Sequence, residues 1–248
     1  MIAALFSFVL GGFLVGAVAM HRGSRHVEAT TRRERWIKFA TYFAIVNGVL
    51  LSALAGRAYF AGLMLLLYLM GATELVRAEA QAGALDSPGI RRIVCGAVYL
   101  FGGGGLALFV QRFQSGTFLF VYLVVAVFDA FSQLTGQLLG RHKLAPRISP
   151  KKTVEGLMGG FVAALLTAGW MRSLAGLGLA EAIMAALVLG GSALAGDLTA
   201  SKVKRICGLK DFGTWLPGHG GVLDRFDSFF AAAPAFVVFS RFISHETF

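Results

Sequence analysis

Runs of about 20 apolar residues recur along the whole chain, and each is long enough to cross a bilayer as a helix. Because lipid offers no water to backbone N–H and C=O groups, each run must be helical. Only 15% of the 248 residues are charged, against about 25% in soluble domains. The sequence therefore predicts an all-α, polytopic membrane bundle of about eight transmembrane helices, at residues 2–20, 37–55, 58–76, 93–111, 117–139, 155–172, 178–198 and 227–243.

Basic residues are distributed unevenly between the loops. If successive loops alternate between two sides, one side carries 19 of the 23 Lys and Arg residues, in segments 21–38, 77–92, 140–153 and 199–226. Basic loops face the cytoplasm, which would place both termini on the other side. The net charge of +10 then fits an anionic leaflet and anionic substrates rather than nucleic acid. We expect a bacterial inner-membrane protein whose active site faces the cytoplasm.

The organisation predicted is one membrane domain over residues 1–248, with amino-terminal helices in 1–120 and catalytic helices and loops in 121–248. No basic segment precedes the first apolar run, so we expect a retained helix rather than a signal peptide. Cys95 and Cys207 lack the spacing of a disulfide framework or metal site, which predicts two free thiols. Small residues spaced four apart favour close helix packing within the chain, with a homodimer face as the alternative; they are Gly12/Gly16, Gly136/Gly140 and Gly156/Gly160.

The seventh apolar run continues into a polar helix. Ser201, Lys204 and Arg205 follow Asp197 at i+4, i+7 and i+8, a spacing that predicts one shared face. This helix is expected to end near Gly208. The pattern offers a carboxylate, a hydroxyl and two cations at the membrane surface, where charge is expensive and indicates function.

A glycine-rich loop and two further acids follow. The loop holds Lys210 and Asp211, then His219 with Gly220 and Gly221, and glycines allow backbone amides to approach phosphate oxygens. Asp224 and Asp227 come next, at i and i+3, where the eighth helix is predicted to begin.

These residues suit a divalent metal and a polyphosphate. Mg²⁺ takes one or two carboxylates plus substrate phosphates, which predicts Asp197 and Asp224 as ligands, with room for a second metal ion. Lys204, Arg205 and Arg225 would neutralise phosphate charge. A salt-bridged polar cap that closes the bundle is the structural alternative, although buried ion networks rarely add net stability.

A second cluster lies upstream. Asp129 falls inside the fifth apolar run, and an acid within a membrane span is a candidate functional residue, or else pairs with a Lys. Lys151, Lys152 and Thr153 precede the sixth run. Thr153 or Ser149 would cap that helix, and the lysines would either bind an anion at its start or serve only as topology signals.

At this point the motifs resemble those of the phosphatidate cytidylyltransferases, the CDP-diacylglycerol synthases. The matching residues are Ser201, Lys204-Arg205, Lys210-Asp211, His219-Gly220-Gly221 and Asp224-Arg225-Phe226-Asp227, together with Gly196-Asp197 and the block Ser149-Pro150-Lys151-Lys152-Thr153-Val154-Glu155-Gly156. The resemblance covers about residues 129–230. It departs at Ala130 and at Ser132-Gln133, where the family commonly has Thr and Ala-Tyr after the Asp.

The resemblance implies transfer of a cytidylyl group from CTP to phosphatidate, which gives CDP-diacylglycerol and pyrophosphate. Catalytic roles are implied for Asp197, Ser201, Lys204, Arg205, Asp224 and Asp227. Substrate binding is implied for Asp129, Lys151, Lys152, Thr153, Lys210, Asp211, His219, Gly220, Gly221 and Arg225.

Three alternatives remain open at the level of sequence. A CTP-dependent polyprenol or phytol kinase would transfer the γ-phosphate and release CDP. A lipid or ion transporter would place Asp129 on its pathway and would show broken helices and half-repeats. A family member with another phospholipid acceptor would account for the altered residues after Asp129.

Overall fold

The structure is a computed structural model, and it describes residues 2–23, 28–82, 88–218 and 220–243. His219 lies outside the described residues, so its predicted role stays a prediction. The described parts contain eight α-helices: α1 Ile2–Gly23, α2 Ala29–Ala55, α3 Arg57–Gln81, α4 Pro88–Arg112, α5 Ser115–Leu139, α6 Val154–Met171, α7 Leu179–Ile206 and α8 Leu223–Phe239. A short 3₁₀ helix, Arg172–Leu174, extends α6.

Five of the described helical segments are long and apolar enough to cross a membrane: α2, α3, α5, α6 with its 3₁₀ extension, and α7. Each predicted apolar run coincides with one helix. This confirms the predicted fold class, a helical polytopic membrane bundle. The number of eight membrane crossings stays a prediction.

The segment between α5 and α6 is not an irregular loop but a small hairpin. Strand β1 (Lys143–Ala145) pairs antiparallel with β2 (Ser149–Thr153), with Lys143 opposite Thr153. The Glu155 carboxylate accepts the Arg141 N–H at 3.0 Å and lies 2.6 Å from His142 Nδ1, which ties the hairpin to α6.

Thr153 joins the hairpin to α6. Its Oγ1 accepts the Gly156 N–H at 3.1 Å, which confirms the predicted helix cap. Pro150, Lys151 and Lys152 lie in β2 rather than in the first turn of the helix. The hairpin therefore presents the two lysines beside the helix start.

Glycines allow α5 and α6 to pack closely. A Cβ atom added at Gly156 would lie 2.5 Å from the Ser132 carbonyl oxygen, and one at Gly136 would lie 3.0 Å from Thr153 Oγ1. These contacts explain the spacing at Gly136/Gly140 and Gly156/Gly160 by packing within the chain. A homodimer stays a prediction.

The core of the bundle is aromatic around α8. Phe236 contacts the rings of Phe109, Phe113 and Phe120, with centroids 5.3–6.3 Å apart. Such contacts add to the burial of apolar area. They fix α8 against α4 and α5, and with it the polar residues at its first turn.

Described residues of the four predicted cytoplasmic segments lie near one another at one end of the bundle. Lys38, Arg77 and Lys210, from three of them, line a single open cavity. The fourth, residues 140–153, contacts α7, because Arg205 Nε donates to the Ile148 carbonyl at 3.4 Å. The segments that carry most of the basic residues therefore share one surface, as one-sided topology requires.

Candidate active site

The cytoplasmic end of α7 carries three polar residues on one face. Ser201 Oγ donates to Asp197 Oδ1 at 3.2 Å, and Lys204 follows one turn later. The helix ends at Ile206, and Gly208 has a φ of +69°. This confirms the predicted end of the helix near Gly208, a position that favours glycine.

Arg205 lies at the edge of that face. Its Nε donates to the Ile148 carbonyl at 3.4 Å and its Nη1 to the Leu209 carbonyl at 3.2 Å. At 3.6 residues per turn, position i+8 lies about 80° around the helix from position i, whereas i+7 lies within about 20°. An offset of about 80° is within the width of one helix face, and phosphate binding by Arg205 stays a prediction.

One ion pair connects the two sequence clusters, and a second lies within the downstream cluster. Lys152 Nζ in β2 lies 2.5 Å from Asp197 Oδ2, and Lys204 Nζ lies 2.6 Å from Asp224 Oδ1. The second pair is deeply buried, with the two side chains 11% and 2% exposed. Residues from β2, α7 and the start of α8 thus form one continuous polar site.

The loop between α7 and α8 folds over Asp224. Its Oδ2 accepts the N–H groups of Phe212 at 2.8 Å and of Gly221 at 2.9 Å. Gly220 has a φ of +82°, in the left-handed region that favours glycine. The Gly221 amide, expected to face phosphate, instead holds the Asp224 carboxylate in place.

Two further acids, Asp129 and Asp227, lie close to these ion pairs. The Asp129 carboxylate accepts a hydrogen bond from the Ser228 side chain, and Asp227 Oδ1 accepts the Ser228 N–H at 2.8 Å. Asp129, Asp197 and Asp227 are near enough to act on one another electrostatically. The acids predicted from two distant segments therefore gather in one region.

The remaining predicted residues lie at the surface of the site. Lys151 is exposed on β2, and Arg225 is exposed on the first turn of α8. Lys210, Asp211 and Gly220 line the open cavity, whose volume is about 1270 Å³. The cavity wall also includes Arg77, whose guanidinium lies 5.7 Å from the Trp215 ring.

Sequence reasoning missed Glu74. Its carboxylate lies in α3, fully buried, and accepts the N–H groups of Val222 at 2.9 Å and Leu223 at 2.8 Å. The signal was present, because Glu74 falls inside the apolar run at 58–76 as Asp129 falls inside the run at 117–139.

The donor set suits a cation that takes some ligands from its substrate. Within the described ranges, no three His, Cys, Asp or Glu side chains cluster closely enough to hold a metal ion. Asp197 and Asp224 each hold a lysine ammonium, so both carboxylates already bind positive charge. Two carboxylates plus phosphates form a common Mg²⁺ environment.

Together, the fold and the site define a polytopic membrane protein with a polar site at one end of its bundle. The profile described as the cytidylyltransferase family matches residues 85–243, more than half of the chain. The chain therefore belongs to the cytidylyltransferase family, which confirms the resemblance seen in its motifs. The match begins well before residue 129, where the motif resemblance started.

Similar proteins occur in several bacteria. A phosphatidate cytidylyltransferase of Staphylococcus saprophyticus is 43% identical over 118 residues, which cover 47% of this chain and 45% of that protein. One of Staphylococcus aureus strain COL is 42% identical over the same shares of the two chains. Uncharacterized protein YnbB of Escherichia coli K12 is 39% identical over 140 residues, 55% of this chain and 47% of that protein. The chain spans about half the length of the curated relatives that it matches.

Proposed function

We propose that this protein transfers the cytidylyl group of CTP to phosphatidate and so forms CDP-diacylglycerol and pyrophosphate. The observation that carries the proposal is the Lys152–Asp197 contact, which joins the two motif clusters into one site that also holds the Lys204–Asp224 pair. The relatives named phosphatidate cytidylyltransferase support the choice of reaction.

The chemistry calls for charge neutralisation more than for a strong base. A phosphate oxygen of phosphatidate is already an anionic nucleophile, and it attacks the α-phosphorus of CTP. The bond between the α-phosphorus and the oxygen that bridges to the β-phosphate breaks, and pyrophosphate leaves with the electron pair of that bond. The main barrier is bringing two polyanions together in line, which positioned cations lower.

The carboxylates would hold the metal. Asp197 and Asp224 are the proposed Mg²⁺ ligands, with Asp227 in support, and the ion when bound would neutralise phosphate charge. Asp197 is oriented by Ser201, and Asp224 by the N–H groups of Phe212 and Gly221. Each carboxylate is thus fixed before substrate arrives, which reduces the reorganisation needed during the reaction.

The basic residues would hold the two substrates. Lys152 and Lys204, which lie beside the two proposed metal-binding carboxylates, would contact phosphate oxygens as point charges. Exposed Lys151 on the hairpin would receive the lipid headgroup. The proposed nucleotide side is the open cavity beside the α7–α8 loop, with Lys210, Asp211 and Gly220 in its wall; Arg205, Arg225 and His219 are further candidates for phosphate contacts.

The proposed location is a bacterial inner membrane with the site facing the cytoplasm. The support is that 19 of the 23 basic residues fall in four segments, and that Lys38, Arg77 and Lys210, from three of these segments, line one cavity. CTP would then enter from water, and phosphatidate would enter laterally from the leaflet.

The test is pyrophosphate release by purified protein in detergent with Mg²⁺, CTP and phosphatidate. Turnover should require all three components and should be lost in Asp197→Asn and Asp224→Asn. Release of CDP in place of pyrophosphate would favour the kinase reaction instead. The absence of nucleotide turnover with phosphatidate would contradict the proposal.

A further inference from the structure

Glu74 lies in α3, outside the family match and 148 residues before the loop that it contacts. Its Oε1 accepts the Val222 N–H at 2.9 Å, and its Oε2 accepts the Leu223 N–H at 2.8 Å. These amides begin α8, where helical N–H groups have no partner inside the helix. A carboxylate there satisfies two donors and complements the positive end of the helix dipole.

The loop is also shaped around this carboxylate. A Cβ atom at Gly213 would lie 2.5 Å from Glu74 Oε1, and one at Gly221 would lie 2.5 Å from Oε2. Real Cβ atoms do not approach so closely, so a side chain at either position would have to displace the Glu74 carboxylate. The middle and the end of the α7–α8 loop therefore both pack against one buried acid.

Glu74 and Asp224 bind adjacent amides. Asp224 Oδ2 accepts the Gly221 N–H at 2.9 Å, and the next two N–H groups go to Glu74. A shift at the start of α8 would therefore move Asp224 relative to Lys204, its buried partner. An apolar side chain at position 74 would fill the space but would leave both amides unpaired, at a cost to local order.

We propose that Glu74 is a positioning residue for the nucleotide and metal side of the site. It anchors the first turn of α8, and so it sets where the Asp224 carboxylate meets the metal and the CTP phosphates. This inference rests on the proposed function. It assigns a site role to a helix that the motif clusters leave unused.

Hydrogen exchange measures the anchoring without turnover. In Glu74→Ala, the Val222 and Leu223 amides should exchange about tenfold faster or more, since each loses a bond to a charged acceptor. Peptides of α5 should keep their wild-type rates. Glu79→Gln is the matched control, because Glu79 is also buried on α3 and accepts from Cys207 Sγ at 3.8 Å, while the Val222 and Leu223 N–H groups donate to Glu74.

Kinetics distinguish positioning from a general structural role. Glu74→Gln keeps the shape and one acceptor oxygen, so it should fold where Glu74→Ala fails. We expect a rise of about tenfold in half-saturating Mg²⁺ or in KM for CTP for Glu74→Ala and a smaller rise for Glu74→Gln. KM for phosphatidate should stay within about twofold of wild type for both, and Glu79→Gln should match wild type throughout.

The exchange experiment and the kinetic experiment test different parts of the proposal. Wild-type exchange at Val222 and Leu223 in Glu74→Ala would overturn the anchoring, and an equal rise in KM for both substrates would overturn the positioning role. A wild-type protein that releases no pyrophosphate would count against the proposed function alone, because the exchange arm reads the anchoring directly.

Discussion

The buried Lys204–Asp224 pair predicts a large and specific loss of stability on Lys204→Met. The substitution leaves the Asp224 carboxylate, 2% exposed, without its counter-charge. Removing one partner of a buried pair costs about 3–5 kcal/mol. Because Asp224 keeps two backbone N–H donors, we expect the lower end, about 3 kcal/mol. For a chain of this size, that corresponds to a fall of about 6–12 °C in Tm.

The assay is thermal unfolding in detergent without nucleotide or metal, so that only the pair is measured. Lys202→Met is the matched control, since Lys202 is exposed on the same helix and should change stability by no more than about 0.5 kcal/mol. The double variant Lys204→Met with Asp224→Asn should lose less than the sum of the two single losses. Equal falls in Tm for Lys204→Met and Lys202→Met would refute the buried pair. A stability loss in the double variant equal to the sum of the two single losses would also refute it.

Three further outcomes are expected. Gly156→Ala should lower the unfolding free energy by about 1–3 kcal/mol because its Cβ would press on an α5 carbonyl. The control Gly191→Ala, whose Cβ would have no described atom within 4 Å, should leave the unfolding free energy nearly unchanged. Equal shifts in Tm for the two variants would contradict this. Thr153→Val should cost about 1 kcal/mol through loss of the α6 cap, and an unchanged Tm would count against it. Lys152→Met should reduce pyrophosphate release about tenfold or more, through loss of a charged hydrogen bond, and by a larger factor than Lys151→Met; the reverse order would contradict the placement of Lys152.

Much of the fold could be predicted because a membrane helix can be recognised from its local sequence alone. A run of about 20 apolar residues has one low-energy conformation in lipid, the α-helix. Each predicted run overlaps a helix in the structure. Helical spacing likewise placed Asp197, Ser201 and Lys204 on one face. The hairpin at 143–153 could not be read in this way, because its strands are three and five residues long and polar along most of their length.

Long-range contacts were the other limit. Lys152 meets Asp197 and Glu74 meets the start of α8 only because distant helices pack side by side. Composition and residue spacing do not show which helices pack against each other. Glu74 was still detectable in principle, since an acid inside an apolar run is costly wherever it occurs. What the sequence could not supply was its partner.

The most direct measurement of cytidylyl transfer follows the phosphorus atoms of CTP. Purified protein would receive phosphatidate, Mg²⁺ and CTP labelled at either the α- or the γ-phosphorus, with Asp224→Asn run in parallel. The account predicts α-label in the lipid product, γ-label in pyrophosphate and neither product in the variant. Label from the γ-phosphorus in the lipid, or α-label transfer that persists in Asp224→Asn, would contradict it.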